Sequence, residues 1–352
     1  MSRKSKTTNI MASNDMTMPA EWERQTAIQL TWPHKDTDWK GYLDEIQATY
    51  LEMADAITRH ERLIIVAPDT TEVEEALRSK LDERQMGRVT LHRCPTNDTW
   101  ARDHGFITLK AAEGTKSLLD FRFNGWGEKF TSDLDNAINK SLYKAKAVEG
   151  RYVDHDEFVL EGGSIESDGH GTVFTTSHCL LAPHRNQPLT RSEIEQRLKD
   201  MLHAERVVWI DHGQLEGDDT DGHIDTLVRT APNDTLLYMG CDDQSDSNFE
   251  ELRLMEEELK SLRTAEGEPY RLLRLPSPSP LFDDGERLPA TYANFVIIND
   301  AVIYPTYDQP ENDQQAAKMI ATAFPDRTLI PIDSRTVVRQ HGSLHCCTMQ
   351  YY

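Results

Sequence analysis

SEIEQRLKDMLHAERVVWIDHGQLEGDDTDGHID (Ser192–Asp225) decides the fold, because this one stretch holds a helix, a strand and a polar motif in that order. Ile194, Leu198, Met201 and Leu202 fall on one helical face, which predicts an amphipathic helix. RVVWID (Arg206–Asp211) reads as the strand that follows it. The stretch ends on GDDTDGHID (Gly217–Asp225), which sets His223 beside four aspartates.

The same order recurs along the chain. Helix signals begin near Thr71, Ser132, Arg191, Asn248 and Glu311, about 60 residues apart, as repeated supersecondary units would. In FEELRLMEEELKSL (Phe249–Leu262) the apolar stripe is Phe249, Leu252, Leu259 and Leu262. A further helix signal at Tyr42–Ile57 belongs to the N-terminal entry. Strand signals follow at VTLHRCP (Val89–Pro95), EFVLEGG (Glu157–Gly163), RVVWID, YRLLRLP (Tyr270–Pro276) and TLIPID (Thr328–Asp333). Each leads into a polar motif: TNDTWARDHG (Thr96–Gly105), LEGGSIESDG (Leu160–Gly169), GDDTDGHID, PATYANF (Pro289–Phe295) and HGSLHC (His341–Cys346). Five such units predict a closed ring whose motifs meet at one end. A linear solenoid would instead spread them along a surface and need capping units. No Pro/Gly/Ser linker divides the chain, and SPSPLFDDGE (Ser277–Glu286) reads as a long loop, so a single α/β domain is expected.

Composition narrows the partners. The 352 residues carry 38 basic and 60 acidic side chains, a net charge of −22. That field repels nucleic acid and anionic membrane and attracts small cations, although acidity of this kind commonly serves solubility alone. The odd count of five cysteines (Cys94, Cys179, Cys241, Cys346 and Cys347) has no regular spacing, which suits a reducing compartment rather than a disulfide framework. The first 17 residues are polar and lack an apolar signal region, and no run of 18 apolar residues exists. A cytoplasmic protein with a disordered tail over residues 1–17 is expected.

The chemistry-bearing residues are a thiol, an imidazole and carboxylates, the parts needed to attack a cationic carbon. Of Cys346 and Cys347, only one could point into a site if both lie on a strand. His223 and Asp225, two residues apart, would share a face if HIDTLV (His223–Val228) is a strand. A metal site is the sharper rival, with His223, Asp219 and Asp221 as ligands and His345 and Cys346 added for zinc. Against it, no HExxH or paired CxxC occurs, and the loop lacks the first Asp and closing Glu of a calcium loop. Neither GxGxxG nor GxxxxGK[ST] accompanies Gly162, Gly163 or Gly342, so these glycines read as tight turns and close backbone approaches. No metal and no cofactor are expected.

Six stretches together carry a family resemblance: AEWERQTAIQLTWPHKDTDW (Ala20–Trp39), TNDTWARDHG, FRFNGWGEKF (Phe121–Phe130), LEGGSI (Leu160–Ile165), TDGHID (Thr220–Asp225) and GSLHC (Gly342–Cys346). In this order they resemble the agmatine deiminases, which belong with the Porphyromonas-type peptidylarginine deiminases. The likeness runs from about residue 18 to the end, marking 18–352 as the catalytic domain. It implies the pentein fold, a pseudo-fivefold, five-bladed α/β propeller. It also implies Cys346 as the nucleophile, His223 as the acid and base, and Glu161 as the carboxylate that keeps His223 protonated. Asp103 and Asp225 would hold the guanidinium. Around them, Trp100 would pack on the substrate's methylenes and guanidinium face. Trp126 would line the mouth or serve only the core, while Trp32 and Trp39 read as structural. Asp219 would face a distal ammonium, and Gly342 would lie beside the substrate.

The chain departs from the family in two places: Gln340-His341 replace part of a usual glycine run, and Ser343-Leu344 replace a usual Asn-Ile. The implied reaction converts agmatine to N-carbamoylputrescine and ammonia, with a small cationic guanidino compound as partner and a homo-oligomer left open. Deimination of arginine in peptides, or of another guanidino compound, is the alternative within the same chemistry. An arginine placed to hold an α-carboxylate would favour it, and Arg122 is the candidate. A non-catalytic polyamine-binding protein is the alternative from another class.

Overall fold

The computed structural model describes residues 16–352. The expected N-terminal tail therefore lies outside the described residues, except for Met16–Thr17, which pairs with Ile107–Ala111 as a short strand. Among the described residues no helix is long and apolar enough to cross a membrane.

Five separate sheets of three or four strands make up the α/β architecture, and no sheet closes on itself among the described residues. In the third, Val228–Ala231 runs antiparallel to Thr235–Met239, which is parallel to Arg271–Leu275 across the helix Phe249–Ser261. The same hairpin, helix and parallel strand recur with Val296–Ile298, Ala301–Thr306, Pro310–Ala323 and Thr328–Asp333. In another sheet the C-terminal strand Thr348–Tyr351 lies antiparallel to Ala27–Thr31, so the last strand of the chain pairs with one near its start.

The helices form where the periodicity predicts them. Thr190 caps Arg191–Leu202 and exchanges bonds with Glu193, which satisfies two backbone donors at the helix start. Ile194, Leu198 and Leu202 are buried, whereas Met201 is only partly so. In Phe249–Ser261 the buried stripe is Leu252, Met255 and Leu259, and Phe249 and Leu262 sit half-buried at its ends. Each fully buried side chain of this size contributes about 2 kcal/mol.

Three expectations change. The helix expected from Ser132 begins at Ile138, because Asp135 turns inward and accepts the backbone N–H groups of Asn97 (2.7 Å) and Asp98 (3.0 Å). Within the expected loop Ser277–Glu286, Leu281–Asp283 pairs with Glu286–Leu288 in a hairpin. Its Asp284-Gly285 turn has both residues at positive φ, as a tight hairpin turn requires. HIDTLV is not a strand: Ile224–Thr226 forms one 3₁₀ turn and the strand begins at Val228.

Arg229 ties these units together. Fully buried, it donates to Glu166, to Glu21 (2.6 Å) and to the carbonyls of Ala293 and Phe295, while its guanidinium lies 4.6 Å from the Phe295 ring centroid. Such a charge stays buried only because every donor finds an acceptor.

Candidate active site

The five polar motifs converge. From the first comes Asp103, on the single helical turn Ala101–His104. Its Oδ2 accepts the Trp126 indole N–H at 2.9 Å, and its Oδ1 accepts the backbone N–H of Gly163 at 3.0 Å. Trp126 sits at φ +57°, a conformation that costs a bulky residue roughly 1–3 kcal/mol and that aims the indole at the carboxylate. Trp126 therefore lines the pocket as well as packing in the core.

The second motif supplies Glu161 and the third His223, both with no exposed surface. Glu161 Oε1 accepts Arg185 Nε at 2.7 Å, while Oε2 and both His223 nitrogens find no hydrogen-bond partner among the described residues. His223 Nδ1 lies 3.6 Å from Asp103 Oδ1. A Cβ at Gly163 would fall 2.6 Å from His223 Nδ1, 2.8 Å from Asp103 Oδ1 and 3.1 Å from Asp225 Oδ2, so only glycine lets these three groups meet. Burial works to lower the His223 pKa, but the charges of Asp103, Cys179 and Glu161 hold it well above the usual histidine value. Burial, reinforced by Asp225 and Glu161, pushes Asp103 up to about 6 against the opposing pull of His223 and Trp126.

The four aspartates of GDDTDGHID divide their work. Asp218 builds the turn by accepting from Thr220 and Gly222. Asp221 pairs with Arg185 (2.8 Å) and Lys129 (2.8 Å). Asp219 faces the pocket, and Asp225 reaches Cys346. The proposed metal ligands His223, Asp219 and Asp221 thus do not gather around one point. Among the described residues, the donors that do approach within 4.8 Å of one another are Glu161, Cys179 and His223, and separately Glu21, Glu166 and His345. Arg229 bonds both glutamates of the second group.

His345, Cys346 and Cys347 lie in a turn before the last strand, not on the strand itself. Their side chains still diverge. Cys346 Sγ lies 3.9 Å from Asp225 Oδ2 and 3.3 Å from Asn294 Oδ1, whereas Cys347 Sγ points at the Ser343 carbonyl (3.4 Å). Burial, then the charges of Asp225 and Asp103, hold the Cys346 thiol well above its ordinary pKa. Burial pushes Cys347 up to about 12. His345 bridges two carboxylates, with Nδ1 at 2.7 Å from Asp225 and Nε2 at 2.7 Å from Glu21. For Asp225 the desolvation that would raise its pKa is outweighed by the hydrogen bond and charge of His345, which keep it low.

Above Cys346 opens a pocket of about 420 Å³, part of it open to solvent. Asp38, Asp98, Asp103 and Asp219 line it, and among the described residues no lysine or arginine does. Trp39 and Trp100 donate to the two oxygens of Asp98, each at 3.0 Å, so Trp39 braces the pocket from within the core. The ring of Trp100 packs on Gly342, where a Cβ would fall 2.2 Å from it. Phe130, 45% exposed, stands at the mouth edge-on to Trp126. Arg122 is exposed and lines a neighbouring groove rather than this pocket. Trp32 is buried in the core, away from the lining.

Sequence reading missed Arg185, Cys179, Asp98 and Asn294. Arg185 lies 24 residues from the glutamate it bonds, in a loop with no motif. Asn294, however, sits in PATYANF, the one polar motif of the five that had been given no role.

The α/β fold thus gathers a thiol, an imidazole and carboxylates at one acidic pocket, the groups needed to attack a cationic carbon. At 13% identity, dimethylarginine dimethylaminohydrolase shares the fold with a TM-score of 0.51, over 93% of this chain and 100% of that one. The model of the Porphyromonas-type peptidyl-arginine deiminase family matches residues 17–351, and the chain belongs to that family. The agmatine deiminase of Pseudomonas putida is 34% identical over 95% of this chain and 94% of its own length. A cysteine-to-serine variant of C. jejuni agmatine deiminase with substrate bound is 39% identical, with a TM-score of 0.87 over 96% of each chain. A Porphyromonas gingivalis structure, named only provisionally as an arginine deiminase, is 48% identical, with a TM-score of 0.89 over 96% of this chain and 98% of that one.

Proposed function

We propose that the protein is an agmatine deiminase, and that residues 18–352 act as one catalytic domain. The observation that carries this reading is the pocket itself, which leads past four aspartates and no lysine or arginine to a cysteine flanked by two carboxylates. A guanidinium presents five N–H donors in one plane, and Asp103 and Asp225 on either side would pin that plane over Cys346 Sγ. In the empty site the thiol stays protonated. The arriving cation offsets the charges of Asp103 and Asp225, so the thiol ionises as substrate binds and its proton passes out to solvent. Sulfur then bonds to the guanidinium carbon. His223, kept protonated by the charges of Asp103 and Glu161 among its neighbours, gives its proton to the departing ammonia. It next deprotonates the water that attacks the amidino-thioether, and the C–S bond breaks to release N-carbamoylputrescine and the thiol.

A pseudo-fivefold ring of the five sheets accords with this reading, since Asp103, Glu161, His223, Asn294 and Cys346, one from each motif, lie in one cluster at and beneath the pocket. Asp219 at the pocket wall would read the distal ammonium, and Trp100 the methylenes between. The position of Arg122 outside the pocket speaks against an α-carboxylate, and hence for agmatine over arginine.

Ammonia release should be rapid from agmatine and at least tenfold slower from free arginine or an N-terminally blocked arginine peptide. Faster release from arginine or the peptide would keep the chemistry and replace the substrate. Release from none of them would favour a binding protein.

The pH dependence follows from Asp103, which takes up a proton near pH 6 and then no longer holds a cation. In a series at fixed ionic strength, kcat/KM for agmatine should therefore fall as pH falls through about 6. A flat acid limb down to pH about 4.5, well below that midpoint, would remove Asp103 from cation binding.

A further inference from the structure

We propose that Asn294 is a positioning residue that holds Cys346 as a thiol, aimed at the substrate carbon, until a cation enters the pocket. The inference rests on the reading of Cys346 as nucleophile and adds a device that governs when it can act.

Asn294 is fully buried, and one atom of its amide organises the nucleophile turn. Oδ1 accepts the backbone N–H of His345 at 2.9 Å and that of Cys346 at 3.2 Å. Two N–H donors can be received only by the oxygen, so the amide cannot rotate end over end without leaving both unpaired in the interior. The same oxygen therefore always faces Cys346 Sγ, 3.3 Å away. It can accept a hydrogen bond from a thiol, but it offers nothing to a thiolate except a repelling lone pair. On its other side Nδ2 points at the backbone carbonyl of Asp225 at 3.4 Å. One side chain thus joins the sulfur to the segment bearing the carboxylate that would hold the guanidinium.

Of the other groups facing Cys346, the Ser343 backbone N–H favours the thiolate, and the rest act in the same sense as Asn294. Asp225 and Asp103 are anionic neighbours, and Cys347 and Tyr307 are buried acids close by that would add negative charge if ionised. None of them donates a hydrogen bond to Sγ. The empty site is built against the thiolate, and a guanidinium held by both aspartates is the ligand that reverses the balance. This protects a buried thiol from alkylation and oxidation when no substrate is present.

The test reads thiol chemistry rather than turnover. Alkylation of Cys346 by iodoacetamide is followed against pH in the full-length protein, with the modified residue located by tandem mass spectrometry so that Cys347 is not counted. Removing one neutral hydrogen bond to the thiol in Asn294→Ala should move the alkylation midpoint down by about one pH unit. Below both midpoints that is about tenfold faster labelling, while turnover falls because the turn loses its anchor. Asn294→Asp keeps an oxygen in the same place and should have a midpoint at or above that of the wild type. If Asn294→Ala does not fold, Asn294→Ser, whose shorter side chain withdraws the acceptor from Sγ, should show the same downward shift. An unmoved or raised midpoint in the shortened variant, or a fall in Asn294→Asp as well, would overturn the proposal. Because labelling needs no turnover, the result stands apart from whether Cys346 proves to be the nucleophile.

Discussion

Cys346→Ser is expected to leave the fold in place and to lower ammonia release from agmatine by roughly 10⁴-fold or more, as loss of a covalent nucleophile does elsewhere. The hydroxyl is nearly the size of the thiol and can still donate to Asn294 Oδ1, so packing around the turn should hold. What changes is acidity. A serine hydroxyl ionises far less readily than a thiol, and the charges of Asp225 and Asp103 oppose ionisation further. A cation able to draw the proton from sulfur should not be able to draw it from that oxygen. The same change at Cys347 is the control, because its sulfur points at the Ser343 carbonyl and away from the pocket. Cys347→Ser should keep turnover within a few-fold and lower stability by about 1 kcal/mol. Measured together with thermal unfolding, equal losses in the two variants would mean that the turn, and not one sulfur, had been disturbed. Substantial turnover by Cys346→Ser would sink the covalent mechanism.

Those two cysteines also mark how far the sequence could be read. Adjacent residues pointing opposite ways was a sound inference, although it rested on a strand and the residues occupy a turn. His223 and Asp225 likewise reach one site, through a 3₁₀ turn rather than a pleat. Motif content survived these errors because the groups are defined by chemistry, while the backbone between them was inferred from period alone. Helices with a clear stripe, such as Arg191–Leu202, were legible for the same reason that they are stable: one face is apolar and the start is capped.

What sequence could not give was pairing at long range. Arg185 with Glu161, His345 with Glu21 and Arg229 with Glu166 each join segments that no local pattern connects. Asn294 lay in a recognised motif, yet its role depends on which atom of a neutral amide faces a sulfur 52 residues away. The hairpin Leu281–Leu288 is a different kind of omission, since its Asp-Gly turn was present to be read.

Asp225→Asn should separate two quantities that ordinarily fall together. Asp225 is fully buried, with Oδ2 bonded to His345 at 2.7 Å and Oδ1 without a partner among the described residues. A buried carboxylate oxygen left unpaired is costly, and a guanidinium N–H is the donor that would satisfy it. Asparagine keeps the shape and an acceptor but removes the charge. Loss of two charge-assisted hydrogen bonds, each worth about 1.5–3 kcal/mol, should lower kcat/KM for agmatine by roughly 10³-fold. The same charge holds the Cys346 thiol up, so its removal should move the iodoacetamide midpoint down and speed labelling at neutral pH. A nucleophile that becomes more reactive while the enzyme becomes slower cannot be explained by general disorder of the site, which would leave turnover and labelling without this opposed change. It is the behaviour expected of a carboxylate that suppresses the thiolate in the empty pocket and holds the cation in the filled one. If labelling of Cys346 slows along with turnover, Asp225 serves only to hold His345 and the turn in place, and the second carboxylate of the clamp must be sought among Asp38, Asp98 and Asp219.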